Sequence, residues 1–301
     1  MHLEFGGLVR VRDAAARHIA MRALADRAAV FSTSGRTTRD FTEDRAALRV
    51  ALVSLGPHPM TSAGGLDCPR LTYTQAALIA DFGDAQATES AVQAAMACMA
   101  LPQEESDVAA RQVLAAARQL TASARWDARA TLGAIRQIVR HIAAMEGERG
   151  VVVVSSGFVM PASQDDLMSL IDEGIRGKIV IHTIDARGVF VGGPGAEVRY
   201  TTSATGLPLN SAQIERSDAL QQDTVLAQMA DGTGGVFVRG TNDLAAGFSR
   251  AATPAEHRYV LGFSPQNLRM NGKYHRLKVS LKRSAGMEVT ARRGYFAPMP
   301  E

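Results

Sequence analysis

The stretch from Val151 to Phe158, Val-Val-Val-Val-Ser-Ser-Gly-Phe, begins with four consecutive valines, which lead directly into two hydroxyl side chains. A second, mainly apolar run from Ile179 to Ile184 follows after one helix length and ends at Asp185. Strands that are apolar on both faces are tolerated where helices cover both sides of a parallel sheet. The two runs therefore predict a strand, helix, strand unit of an α/β fold.

The residues that follow these two strands are the candidate binding residues. Ligands of parallel sheets bind at the carboxyl ends of the strands, and the residues there are Ser155, Ser156, Gly157, Asp185 and Arg187. They form an edge rich in hydroxyl groups, with one carboxylate and no nearby cysteine. The sequence therefore predicts that the loops at the carboxyl ends of these strands bind a ligand.

A catalytic role for this edge is not supported by the local pattern. A serine nucleophile on a strand-to-helix turn requires Gly-x-Ser-x-Gly, whereas the order around Ser155 and Ser156 is Val-Ser-Ser-Gly. His182 lies inside the second strand, so we predict a packed, hydrogen-bonded histidine rather than a base. We predict that Asp185 anchors its loop by accepting hydrogen bonds from Arg187 or from a helix amino terminus. No catalytic residue is assigned.

Composition argues against several classes of protein. The chain has 301 residues, a net charge of +3 and scattered arginines, so nucleic-acid binding has little support. Its apolar runs are far shorter than the ~18 residues that cross a bilayer, so no membrane span is predicted. Residues 1–7 show neither a basic leader nor a long apolar stretch, so the sequence as written predicts no signal peptide. Cys68 and Cys98 lack zinc-like spacing, which leaves a disulfide or two free thiols.

Helical periodicity dominates the first half of the chain. We predict a helix from about Gly7 to Leu24, a short strand from Ala28 to Ser32 and a helix that Thr42 caps. Residues 68–147 have an almost purely helical pattern. Because part of this run is too long for one globular helix, we predict a break at Thr121 to Ser123.

The second half returns to alternating strands and helices. The glycine-rich stretch from Asp231 to Gly235 follows a helix and precedes a strand, so we interpret it as a helix stop and not as a phosphate-binding loop. The predicted elements are a helix that Ser163 caps, a long polar connection from Gly188 to Asp218, a helix through Leu226 that Gly232 ends, a strand from Val236 to Val238 and a last helix that ends near Ala252.

The carboxyl-terminal part of the chain has the pattern of an antiparallel sheet. Residues 259–263, 274–281 and 287–296 alternate as three half-exposed strands, and Asn271-Gly272 is a hairpin signal. We predict a three-stranded unit added to the α/β core.

Seven short motifs occur in one order along nearly the whole chain. They are Asp40-Phe41-Thr42 with Asp44 to Leu48, Cys68-Pro69 with Cys98, Val154 to Phe158, Thr183 to Gly188, Thr241 to Leu244, Tyr259 to Pro265 and Ala291 to Pro298. Together they resemble the von Willebrand factor A-related domain family described from acidobacteria. The resemblance implies a doubly wound, mostly parallel α/β sheet with helices on both faces, in a domain that binds a protein ligand.

The resemblance also bears on metal binding. Domains of this type often hold Mg²⁺ through an Asp-x-Ser-x-Ser turn, a threonine and a later aspartate, because a hard cation takes oxygen ligands. The chain begins with what resembles the first helix, so we expect the strand that leads into the Asp-x-Ser-x-Ser turn to be missing. No threonine is assigned to the second position, and Ser156 stands where the later aspartate is expected. We therefore expect a degenerate metal site, with no metal ion and no other cofactor.

A cysteine pair lies at the same place in the resembling family. The resemblance therefore favours a disulfide between Cys68 and Cys98 that clasps the helical insertion. A disulfide implies an oxidising compartment, and the resemblance implies an extracellular or periplasmic location.

Pattern and resemblance together divide the chain. We expect a von Willebrand A-like domain over residues 1–253, a helical insertion at about 60–130 and an antiparallel extension over 254–301. The predicted function is non-enzymatic binding of an unknown protein, of the adhesion or scaffold type. The alternative is a Rossmann-like hydrolase or nucleotide-binding enzyme that uses the same strand ends, and a third hypothesis is an envelope protein whose fold serves assembly.

We predict that in-frame codons upstream of Met1 encode an apolar strand and an export signal. Loss of a central strand would leave unpaired backbone groups in its two neighbours, a cost that a domain of ordinary stability could hardly absorb. Sequencing of the gene upstream of Met1 checks this expectation, and a stop codon there would contradict it.

Overall fold

Helices and short strands alternate along the chain. The computed structural model describes residues 5–21, 26–56, 68–158, 164–188, 209–252, 271, 274–282 and 294–297. The elements are α1 (Phe5–Met21), β1 (Ala28–Phe31), β2 (Thr38–Thr42), α2 (Arg45–Ser54), α3 (Tyr73–Ala80), α4 (Ala85–Met99), a 3-10 turn (Gln103–Glu105), α5 (Ser106–Ala143), β3 (Gly150–Ser155), α6 (Gln164–Arg176), β4 (Val180–Asp185), α7 (Leu209–Thr233), β5 (Phe237–Val238), α8 (Leu244–Ala252), β6 (Tyr274–Arg276) and β7 (Gly294–Phe296).

The parallel sheet predicted from the valine run is present. β3 pairs with β4 from Gly150 opposite Val180 to Ser155 opposite Asp185, and β4 pairs with β5 in the same direction. The strand order is β3-β4-β5. The prediction of a strand, helix, strand unit is confirmed, because α6 connects β3 to β4 and packs in the core with both strands.

Helices cover both faces of this sheet. On one face, α1, α2 and α8 share a core with Ile184 and Val238. On the other face, the second half of α5 packs with α6 and α7 around Val153 and Ile181. The fold is therefore a mixed α/β fold. Among the described helices, none is long and apolar enough to cross a membrane.

Three predicted helices are found near their expected positions. α1 begins two residues earlier than predicted, and residues 22–25 lie outside the described part of the chain. α6 carries Asp165 and Asp166 in its first turn as expected, while its predicted cap, Ser163, lies outside the described residues. α8 follows Asp243, whose Oδ1 accepts a hydrogen bond from the Ala246 N–H at 3.0 Å.

The longest helix, α5, is continuous over 38 residues, so the predicted break at Thr121 to Ser123 is wrong. The Thr121 hydroxyl donates to the Arg118 carbonyl, and the Ser123 hydroxyl donates to the Leu120 carbonyl, which satisfies both groups inside the helix. The two halves of α5 belong to different cores, with Val113 among α3 and α4 and Val139 beside the sheet. Packing along both halves therefore keeps the helix unbroken.

A helical subdomain consists of α3, α4 and the first half of α5, which share a core of their own. Cys68 precedes α3 and Cys98 lies in the last turn of α4. The two cysteines form a disulfide, with their Cα atoms 6.1 Å apart. The structure thus places the two cysteines at disulfide distance, as the resemblance favoured, whereas the limits of the insertion, 60–130, stay a prediction.

A hairpin that the sequence patterns did not predict precedes α2. β1 and β2 pair antiparallel, and β2 includes Thr42, so the predicted helix cap at Thr42 is wrong. The Thr42 hydroxyl instead accepts from the Asp44 N–H at 3.1 Å. Asp44 caps α2, because its Oδ1 accepts from the N–H groups of Ala46 and Ala47 at 2.9 and 3.0 Å.

α7 begins at Leu209, much earlier than the pattern indicated. The predicted polar connection from Gly188 to Asp218 is therefore wrong over its last part, and its residues 189–208 lie outside the described part of the chain. The first turns of α7 carry few large apolar side chains, which is why helical periodicity did not reveal them.

The glycine-rich stretch after α7 ends the helix, as interpreted from the sequence. Gly234 has a φ of +80°, a left-handed conformation that favours glycine. The Gly235 N–H donates to the Ala230 carbonyl at 2.8 Å, which satisfies a carbonyl of the last turn. The chain then enters β5 directly.

The carboxyl-terminal strands are shorter than predicted. β6 pairs antiparallel with β7 but ends at Arg276. Residues 277–281 have no regular structure, and Val279 and Leu281 are 46% and 43% exposed. The strand predicted through Leu281 is therefore wrong beyond Arg276, since no described strand pairs with that stretch. The predicted strand at 259–263 and most of the one at 287–296 lie outside the described residues.

The variant Gly235→Ala tests the close approach between the end of α7 and β4. An added Cβ would overlap the backbone carbonyl of Ile181, which cannot move without disrupting the sheet. We expect the free energy of unfolding to fall by about 2 kcal/mol or more in urea denaturation. In the control Gly133→Ala, in α5, the added Cβ meets nothing within 4 Å, so helix propensity raises stability by up to about 1 kcal/mol. A Gly235→Ala variant of unchanged stability would contradict this close packing of Gly235 against Ile181.

Candidate functional site

The parallel register places Ser155 directly beside Asp185 at the carboxyl edge of the sheet. The Ala186 N–H donates to the Ser155 carbonyl at 2.8 Å, which extends the ladder past the last strand pair. The two loops that carry Ser156 and Arg187 therefore leave the sheet side by side. The five predicted site residues are brought together at one edge.

The first of these loops turns around a buried hydroxyl group. Ser155 has no exposed surface, and its Oγ accepts a hydrogen bond from the Gly157 N–H at 2.9 Å. Gly157 has a φ of +84°, and an added Cβ there would lie 2.6 Å from the Cβ of Gln222. Glycine at this position therefore lets the loop pack directly against α7, with Ser156 half-buried beside it.

The second loop is anchored by an ion pair between neighbours. Asp185 Oδ1 accepts from the backbone N–H and from Nε of Arg187, both at 2.9 Å. Asp185 Oδ2 accepts from Arg187 Nη2 at 2.9 Å. Both oxygens of a carboxylate that is only 4% exposed are thus held by one arginine. The prediction that Asp185 anchors its loop through Arg187 is confirmed.

Arg187 also ties this loop to α7. Its Nη1 donates to Gln222 Oε1 at 2.9 Å, and its Nη2 donates to Asp223 Oδ1. The other oxygen of Asp223 lies 3.6 Å from Nη1 of Arg239, which follows β5. Two carboxylates and two guanidinium groups therefore balance in charge. We call Asp185, Arg187, Gln222, Asp223 and Arg239 the strand-end network.

The electrostatics of the strand-end network keep Arg187 charged. Burial by itself lowers the pKa of Arg187, but hydrogen bonds and charge from Asp185 and Asp223 outweigh burial, so that its pKa is raised. The ion pair is largely shielded from solvent, since the side chains of Arg187 and Asp185 are 18% and 5% exposed. Such a pair rigidifies the edge on which it lies.

His182 is a structural residue within β4. Its Nδ1 accepts a hydrogen bond from the Val236 N–H at 3.1 Å, which connects β4 to the start of β5. Burial lowers the pKa of His182 from 6.5 to about 4, so the ring is neutral at neutral pH. The prediction of a packed, hydrogen-bonded histidine is confirmed.

Sequence reasoning missed three members of the strand-end network. Gln222 and Asp223 fall between the predicted polar connection and the helix marked by Leu226, and Arg239 follows a very short strand. The one available signal was their spacing, because Asp223 lies three residues before Leu226 and so on the same helix face. This spacing points to Asp223 only when α7 is known to begin before residue 223.

The arrangement does not assemble a nucleophile and a base. His182 lies opposite Val152 in the register, three residues and so about 10 Å along the strands from Ser155. Among the described residues, no hydrogen bond joins Ser155 to His182. In the part of the chain that the structure describes, no group of three or more His, Cys, Asp or Glu side chains is placed to hold a metal ion.

No protein-family model, curated protein or solved structure matches this chain. The geometry of the site is therefore the basis on which its function is inferred.

Replacement of Arg187 by methionine tests the strand-end network. Arg187→Met leaves the buried carboxylate of Asp185 without its cation, so we expect the free energy of unfolding to fall by about 3 kcal/mol or more in urea denaturation. The double variant Asp185→Asn/Arg187→Met is expected to recover part of that loss, because the charge is removed with its partner. The control Arg239→Met alters a side chain that is 63% exposed and is expected to change stability by less than about 1 kcal/mol. If Arg187→Met and Arg239→Met lowered the free energy of unfolding equally, the buried ion pair of Arg187 with Asp185 would be contradicted.

The pH dependence of stability tests His182. Because its pKa is lowered from 6.5 to about 4 on folding, the unfolded chain binds more protons between these values. Stability from this group is complete above pH 6.5 and is lost as the pH falls toward 4, by at most about 3 kcal/mol.

The variant His182→Asn isolates this contribution, because its amide oxygen can accept from the Val236 N–H but does not titrate. Unfolding free energies at pH 7, 6, 5 and 4.5 should fall more steeply for the natural chain than for the variant. Parallel curves would show that His182 does not titrate in this window.

Proposed function

We propose that the chain is a von Willebrand A-like module that binds another protein without catalysis and without a resident metal ion. The observation that carries this proposal is the capture of both Asp185 oxygens by Arg187. A carboxylate that is neutralised in this way is not available as a cation ligand. The ligand would be recognised by the shape and hydrogen-bonding groups of the loops at the carboxyl edge of the sheet.

Three further features support this proposal. The parallel sheet has helices on both faces, as expected for a doubly wound domain, and its strand-end loops lie at the edge where such sheets bind ligands. Ser155 is fully buried and accepts from the Gly157 N–H, which disfavours its use as a nucleophile in the alternative hydrolase. The Cys68–Cys98 disulfide is compatible with export.

Ligand-linked thermal stabilisation tests the absence of small-ligand chemistry. A ligand that binds only the folded state raises the Tm. Because we propose no site for metal ions or nucleotides, we expect the Tm to be unchanged by Mg²⁺, Mn²⁺, ATP and GTP at millimolar concentration. We also expect no hydrolysis of p-nitrophenyl esters. A saturable shift with Mg²⁺ would overturn the metal-independent site, and a shift with nucleotide or ester hydrolysis that Ser155→Ala abolishes would favour the enzyme.

Site-specific photocrosslinking tests protein binding directly. A photoreactive phenylalanine replaces Phe158, next to the first loop, and in a matched control it replaces Trp126, which is 71% exposed on α5. In extracts of the source cells, we expect one discrete adduct from position 158, competed by excess natural chain and not by excess Arg239→Glu. Equal labelling from position 126, or equal competition by the variant, would contradict binding at this edge.

A further inference from the structure

The arginines of the longest helix lie on one of its faces. α5 contains six arginines and two aspartates, which gives it a net charge of +4, whereas the whole chain has a net charge of +3. With about 3.6 residues per turn, all six arginines fall within an arc of about 60° around the helix axis, in a row about 44 Å long. We call this row the arginine face, and its members are Arg111, Arg118, Arg125, Arg129, Arg136 and Arg140. The helix therefore aligns arginines that are scattered along the sequence.

The arginine face is directed away from the cores of the fold. Buried residues of α5, such as Val113 and Ala117, lie on the opposite side of the helix. Arg111, Arg118 and Arg129 are exposed. These three guanidinium groups are therefore accessible to another molecule.

Three members of the arginine face have partners within the chain. Arg125 pairs with Asp81, which follows α3, at 2.8 Å. Arg136 and Arg140 share the carboxylate of Glu173 on α6. One carboxylate therefore serves two guanidinium groups.

The other three members have no carboxylate partner. Among the described residues, the side chains of Arg111, Arg118 and Arg129 make no ion pair and no hydrogen bond. Asp107 lies one turn before Arg111 without forming an ion pair with it, and Asp127 lies on the far side of α5. The first half of the arginine face therefore has an excess of positive charge.

The spacing along this half of the helix is suited to a second helix. Arg111, Ala115, Arg118, Ala122 and Arg125 follow one another at alternating intervals of four and three residues, the spacing along which two helices pack. The alanines are small, so the backbone of a partner helix can come close while the longer arginine side chains reach its carboxylates. Glutamates seven residues apart in that helix have the same spacing as the arginines.

Other acidic partners fit this surface less well. A helix that lies on a membrane carries large apolar side chains on one face, whereas the arginine face has only Trp126 at its border, 71% exposed. Nucleic acids favour a broad basic surface, whereas the carboxylates of Asp81 and Glu173 flank this one. Arginine and tryptophan are the residues that most often dominate binding between proteins.

Gly133 leaves room on the arginine face for a side chain of a partner. It lies between Arg129 and Arg136, which line a cavity of about 390 Å³ together with Leu132 and Asp166. Glycine inside a helix costs about 1 kcal/mol relative to alanine. An added Cβ at Gly133 would meet nothing within 4 Å, so the fold itself does not require glycine there.

We propose that the arginine face of α5 is a docking surface for an acidic α-helix of another protein. Carboxylates of that helix pair with Arg111, Arg118 and Arg129. The surface is distinct from the strand-end loops, so its partner differs from the ligand proposed for them. Crosslinks from positions 126 and 158 to different proteins agree with both proposals, whereas the same protein at both positions does not.

A designed peptide tests the surface directly. The probe is a fluorescent, alanine-rich helical peptide of about 28 residues, with glutamates at alternating intervals of four and three along one face. Its control has the same composition, with the glutamates distributed around the helix. In fluorescence anisotropy at physiological ionic strength, we expect saturable binding of the probe to the whole chain and at least about tenfold weaker binding of the control.

Charge-reversal variants locate the binding on α5. Arg111→Glu/Arg118→Glu replaces attraction by repulsion at two positions and is expected to weaken binding of the probe by at least about tenfold. The matched control Arg10→Glu/Arg17→Glu alters two exposed arginines of α1 with the same separation in sequence, and it should change the affinity by less than about twofold. Both variants should keep the Tm of the natural chain, because the altered side chains are exposed.

Three results would overturn the proposal. They are an absence of saturable binding of the probe, equal affinity for the two peptides, and equal affinity of the natural chain and Arg111→Glu/Arg118→Glu for the probe. If a single-stranded DNA of about 20 nucleotides bound more tightly than the probe and lost its binding in the same variant, the acidic helix would be wrong and the arginine face would be assigned to nucleic acid.

Discussion

The parallel pairing of β3 with β4 is the constraint on which the other described features of the α/β layer depend. Both strands are apolar on both sides, so each face of the pair must be covered, and α1, α2 and α8 cover one face while α5, α6 and α7 cover the other. The same pairing aligns Ser155 with Asp185. The position of the candidate site is therefore a consequence of the strand register, and not of the loops themselves.

At the strand ends, close packing and charge pairing act together. Gly157 lets the first loop contact α7, and Arg187 joins the second loop to the same helix through Gln222 and Asp223. Because the charges of the strand-end network balance, this network has no excess of negative charge with which to attract a cation. A rigid and electrically neutral edge of this kind suits recognition by shape and by hydrogen bonds, which is the basis of the proposed function.

Predictions that rested on a strong local pattern were correct, whereas elements without such a pattern were predicted wrongly or missed. The valine run and the apolar run before Asp185 have strong patterns, and both strands were predicted correctly. The break in α5 was predicted from average helix length and was wrong, because the helix packs in two separate cores. The hairpin at β2 and the start of α7 were missed because their side chains are polar and show little periodicity. At the site, the pair of Asp185 with Arg187 was predictable from their nearness in sequence, whereas Asp223 and Arg239 were not.

The amino-acid sequence by itself determined the local structure that needs only neighbouring residues: the apolar strands, the helix stop within Asp231 to Gly235 and the anchoring of Asp185 by Arg187. These depend on hydrophobic burial, on backbone conformation and on charges two residues apart. The tertiary structure decided which distant groups meet, including Gln222 with Gly157 and Cys68 with Cys98. Such contacts depend on the packing of whole elements against one another, and a linear pattern carries no measure of that packing.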